Sequence, residues 1–201
     1  MRSLLVLIMF LTVTITGKAQ SVERIYSFIN NELPAQEFGK SSWGIFLLEH
    51  LVILDSGNCN KLLQDDLKNV PKNIQKELYN NCMALSYEWQ HKFRWEQTKI
   101  KHDIIVTDVK HKLSPSIIKQ IKWAKQGIQK AKYWIKEWNQ TKIDERLVNY
   151  SSIPVFSDDQ QYVLIFRGQD VKSEGGWDTI YIYRKEGNIW IIAEKLIVSE
   201  I

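Results

Sequence analysis

The spacing of the apolar residues changes once along this chain, and the change comes late. Up to about residue 140 they recur every three to four positions, while after Asn149 they gather in short stretches rich in Val, Ile, Tyr and Trp. Helices first and strands last, without βαβ alternation, is the order of an α+β domain. The expected fold is therefore α+β, with N-terminal and central helices (about residues 21–140) packed on a C-terminal antiparallel sheet (about 150–201). One domain spanning 20–201 accommodates both parts.

The strongest helical signal lies at residues 117–138. Ile117, Ile121, Ala124, Ile128, Ala131, Ile135 and Trp138 step alternately by four and three, with Ser114 as N-cap and Pro115 at the first helical position. A first helix is expected over 21–33, ending at Pro34. Leu62, Leu63, Leu67 and Val70 predict a short amphipathic helix after a turn at 55–58. Pro71 opens another, with Ile74, Leu78, Cys82 and Leu85 on one face. The apolar run at 43–54 fits a buried helix or a strand, and its length and leucines favour helix. Residues 162–167, 178–184 and 189–198 read as strands, the last two joined as a hairpin by Gly187-Asn188, and 103–107 adds another.

Residues 1–19 have the form of a cleavable signal peptide. Arg2 precedes an apolar stretch from Leu4 to Ile15, and Gly17 and Ala19 supply the small residues a signal peptidase reads. That stretch is shorter than the roughly 20 residues of a membrane span. The expected destination is the periplasm, the cell surface or the medium. Cleavage removes Arg2 and Lys18, leaving 25 basic residues (27 − 2) against 23 acidic ones. Such a balance gives no reason to expect specific nucleic-acid binding. The charge is uneven, however: residues 91–142 hold 13 Lys and Arg against four Asp and Glu.

Two cysteines, Cys59 and Cys82, in an exported chain read first as a disulfide and second as buried thiols. Candidates for acid–base or metal chemistry are few. His102 and Asp103, with Asp108 and His111, form a loose cluster, and Glu88 and His91 stand three apart. Neither has the tight, repeated spacing of a zinc site, and the chain lacks the usual hydrolase, metalloprotease, phosphate-loop and dinucleotide motifs. No metal or other cofactor is expected. Lys119, Lys122, Trp123, Lys130 and Trp134 surround the apolar stripe of the long helix. They offer either a solvated face or a weak contact with an anionic surface.

Ser152-Ile153-Pro154-Val155-Phe156-Ser157-Asp158-Asp159 leads into Tyr162-Val163-Leu164-Ile165, then Gly175-Gly176, Tyr181-Ile182-Tyr183 and Gly187-Asn188-Ile189-Trp190. This order, with Trp89-Gln90-His91-Lys92-Phe93-Arg94-Trp95 upstream, resembles families of uncharacterised exported bacterial proteins carrying a Ser-x-Pro-x-Phe-Ser motif. About half the chain takes part, and the glycine-rich turn lacks the cysteines such families place there. The resemblance implies a class and a compartment, and no activity. The resulting expectation is a non-enzymatic exported structural or ligand-binding protein. The alternative is an NTF2-like cup with a small-molecule pocket, or a small hydrolytic or lyase-type enzyme, to which the element order and terminal hairpin are similar.

Overall fold

In a computed structural model, residues 21–33, 46–49, 56–64, 67–88, 93–99, 103–121, 124–171 and 175–200 are described. The expected leader at 1–19 lies outside them. The elements run α1 (Val22–Ser27, continued as a π-turn, Phe28–Glu32), β1 (Phe46–Leu48), α2 (Ser56–Gln64), α3 (Lys72–Glu88), β2 (Ile104–Val106), α4 (Ala124–Gln140), β3 (Val148–Ser151), β4 (Val155–Phe156), β5 (Tyr162–Val171), β6 (Gly175–Glu186) and β7 (Ile189–Glu200). The fold is α+β, with one seven-stranded, mostly antiparallel sheet ordered β2-β1-β3-β5-β6-β7 and β4 paired beside β5.

Several elements form for local reasons. Ser21 caps α1, its hydroxyl oxygen accepting from Arg24 N at 3.1 Å. Gly187 takes φ +60° as the first central residue of the two-residue β6–β7 turn, a backbone that side chains with a Cβ resist. The Ser-x-Pro-x-Phe-Ser motif is a splint along β5. Ser152 Oγ accepts from Phe166 N at 3.0 Å, and Ser157 Oγ accepts from Tyr162 N at 2.9 Å. The two hydroxyls supply acceptors where the strand between them departs from regular pairing around Pro154, which has no N–H to give.

Tertiary contacts override local pattern at three places. The helix expected over 117–138 is broken: Pro115–Lys119 is a 3-10 turn, Gln120 and Ile121 are not helical, and α4 is described over Ala124–Gln140. Leu113 N donates to Asn139 Oδ1 at 2.8 Å, and Asn139 Nδ2 returns a bond to Leu113 O at 2.9 Å. An unbroken helix would hold these residues ~39 Å apart, so the chain must fold back along α4. Instead of a helix over 62–70 preceded by a turn, α2 starts at Ser56 and ends at Gln64. The carbonyls of Leu67 and Val70 are taken by the buried Gln75 amide at 3.0 and 2.6 Å. Within the run at 43–54, Phe46–Leu48 is a strand, parallel to β2 on one side and β3 on the other. Leu47 packs into the core on one face of the sheet and Phe46 into the core on the other, so both faces are covered, which explains the unbroken hydrophobicity. The rest of that run, apart from Glu49, lies outside the described residues.

Each sheet face has its own cover. On one face, Leu164, Phe166, Ile180 and Ile182 pack under α2 and α3, and Phe46, Ile104, Val106 and Val148 pack under α4. The Cys59–Cys82 disulfide ties α2 to α3. On the other face, Val163, Ile165, Tyr183 and Trp190 pack under α1, Phe93 and Trp95.

Candidate functional site

Side chains alternate across a strand, so residues two apart on β5 share a face. Val163 and Ile165 lie under α1, and the same alternation carries Arg167 and Gln169 onward along that face. Arg167 pairs in register with Ser151 on β3 and with Thr179 on β6. All three are buried, Arg167 at 8% exposure. The next row joins Asn149, Gln169 and Trp177, with Gln169 Nε2 donating to Asn149 Oδ1 at 3.1 Å. Asn149 Nδ2 in turn donates to Phe46 O at 3.3 Å, which ties the row to β1.

Asp103 enters beside this polar strip from the start of β2, on the face shared with Ile105. Gln97 fixes it there: its amide donates to Asp103 O at 3.0 Å and accepts from Ile105 N at 2.7 Å, standing in for a further strand along β2. The Asp103 side chain is buried at 5% exposure. Loss of water pushes its carboxyl up to about 7, against the opposing pull of the Arg167 charge. Trp95, fully buried in the same cover, has an indole N–H without a hydrogen-bond partner among the described residues. Tyr181 and Trp177 continue the face toward β7, with Lys195 Nζ 5.8 Å from the Tyr181 ring centre and Ile192 and Ile197 exposed.

Of the acid–base candidates among the described residues, Asp103 is in this strip and Asp108 and His111 are not. Asp108 and His111 occupy an exposed turn beyond the far end of β2, ~16 Å along the strand direction from Asp103. Asp108 Oδ1 accepts from Lys110 N at 2.8 Å, and His111 N donates to Asp108 O at 3.1 Å, so both shape that turn. The His111 carbonyl accepts from Trp138 Nε1 at 2.9 Å. His102, His91, Lys122 and Trp123 lie outside the described residues. Lys119 and Lys130 are exposed, and Trp134 is half-buried against Tyr133, with ring centres 5.4 Å apart. Among the described residues, no three His, Cys, Asp or Glu side chains gather as a metal ion requires.

Arg167, Thr179, Ser151 and Gln97 were not legible as site residues. The available signal was slight: Arg167 ends the apolar run Tyr162-Val163-Leu164-Ile165-Phe166 at a position the alternation assigns to the buried face. No family model, curated protein or solved structure matches this chain.

Proposed function

We propose that this is an exported, non-enzymatic binding protein whose ligand site is the polar strip of the sheet around Arg167. The observation that carries this reading is the buried row Ser151–Arg167–Thr179 with Asp103 beside it, on one face of a sheet whose other face is packed with apolar side chains. Buried charge is expensive and contributes little to stability compared with apolar packing, so its concentration in one place favours a role in recognition. The arginine, the hydroxyl and amide groups beside it and the half-buried Trp177 suit a small ligand with a carboxylate and an apolar or ring portion. Export is supported by the form of residues 1–19 and by the Cys59–Cys82 bond.

The test is a thermal-shift screen of small carboxylates and neutral sugars against the wild type and Arg167→Met. A carboxylate that raises the melting temperature of the wild type alone supports the site. Equal stabilisation of both proteins, or none across the panel, sinks it. A second reading, the NTF2-like cup with proton-transfer chemistry, is favoured by Asp103, whose carboxyl titrates near neutrality. Under that reading a ligand found in the screen binds with a pH midpoint near that of Asp103, and Asp103→Asn removes the midpoint. A pH-independent affinity rejects it.

A further inference from the structure

The fold brings exposed lysines of the basic middle to the outer side and the C-terminal end of α4, apart from the buried strip. Ala131, Ile135 and Trp138 turn inward from α4 to the sheet. At 100° per residue, Tyr133 and Lys136 then point away from it, with Lys130 and Lys132 on either side. The bonds between Leu113 and Asn139 bring Lys110 and Lys112 to the C-terminal end of the same helix, and Lys119 lies on the returning 3-10 turn. All six lysines are exposed, and none has a carboxylate within ion-pair distance among the described residues. Apolar groups stand near them: Tyr133 is 54% exposed on the outer side and, just beyond the helix, Ile143 is 44% exposed.

Among the described residues, this surface carries no exposed arginine. Arg146 is buried beneath it, donating to the carbonyls of Thr141, Val109 and His111 and lying 4.9 Å from the Trp138 ring centre. Planar arginine forks suit the discrete anionic groups of a polymer held in a groove, whereas flexible lysines with interspersed apolar side chains suit a diffuse plane of charge over hydrocarbon. We propose that the outer face of α4 docks on an anionic phospholipid bilayer. The lysines meet the headgroups, and Tyr133 reaches the acyl boundary. No residue of the Arg167 strip takes part, so this contact and the ligand site stand or fall separately.

The experiment is co-sedimentation of the full chain with phosphatidylglycerol-containing vesicles and with phosphatidylcholine vesicles, at low and high salt. The expected result is pelleting with the anionic vesicles alone, lost at high salt. The exposed triple substitution Lys130→Gln, Lys132→Gln, Lys136→Gln, with an unchanged circular dichroism spectrum, should weaken the association ~100-fold, at about fivefold per lysine. Tyr133→Ala should weaken it further without altering the salt dependence. The apolar stretch at 4–15 is present in every sample, so association that survives both salt and the triple substitution belongs to that stretch and overturns the proposal. Protein left in the supernatant at low salt also overturns it. So does equal binding to soluble polyphosphate with Tyr133→Ala unaffected, which assigns the surface to an acidic polymer.

Discussion

The two faces of the sheet are built to different rules. The face under α2, α3 and α4 is filled with aliphatic and aromatic side chains and tied by a disulfide between its covering helices. Its conspicuous polar contact is Tyr150, which donates to the Asp178 carboxylate over Gly168, where a Cβ would collide with the Tyr150 ring. The face under α1 changes character along its length, from Val163, Ile165 and Trp190 to Ser151, Arg167 and Thr179. A chain that packs one face so fully has the means to pack the other. The buried charge on the second face therefore marks the place where stability has been given up, and the contrast can be measured.

The largest effect expected concerns Asp103. Its carboxyl is raised to about 7 in the folded protein, against ~4 in an unfolded chain. The folded state holds this proton more tightly, so stability is greatest below ~4 and falls as pH rises through the folded value. Three units correspond to a loss on the order of 4 kcal/mol. Asp103→Asn, a neutral mimic, should flatten that slope and be the more stable protein above neutrality. Urea midpoints at about pH 5 and about pH 8 span roughly two of those units, a difference of about 3 kcal/mol. A wild type as flat as the variant removes the distinction between the faces.

On the apolar face, replacing Cys59 and Cys82 together by Ala should lower stability by about 3 kcal/mol, through the freed loop of the unfolded chain. The loss should appear equally at both pH values, unlike that of Asp103. A smaller effect belongs to the splint: Ser152→Ala leaves the buried Phe166 N–H without its acceptor and should cost about 2 kcal/mol in chemical denaturation. An unchanged midpoint would remove the motif's structural role. Smallest is Tyr150→Phe. Burial and the Asp178 carboxylate hold this phenol above its ordinary range, so it remains a donor at any moderate pH. Losing that bond should cost about 1 kcal/mol, and a gain in stability on substitution would place the dyad with the charged strip as a second costly polar group.

Much of the framework was open to reading because it is locally encoded. The Pro71 start and the Ile74, Leu78, Cys82 stripe specify α3, and Gly187-Asn188 between β-rich stretches specifies the terminal hairpin. Asp103 was singled out beside His102, but its neighbours in sequence gave no hint that Arg167, some sixty positions later, acts on it. Burial of a carboxylate depends on what covers it, and a single charge at a strand end looks the same whether it faces water or a neighbouring strand. The helix at 117–138 failed for a related reason. Its stripe is sound, yet two hydrogen bonds between Leu113 and Asn139 require the chain to reverse within it.

By itself, then, the sequence determined the class of fold, the late strands, the hairpin and the pairing partner available to each cysteine. These follow from periodicity, turn chemistry and an even count, which act over a few residues or by elimination. The tertiary structure decided that Phe46–Leu48 becomes a strand of the sheet, that Lys110 and Lys112 come to the C-terminal end of α4, and that Arg167 and Asp103 lie on one face. Those outcomes depend on partners distant along the chain, and a three-residue strand or a buried charge has no local pattern until the partner that pairs or covers it is in place.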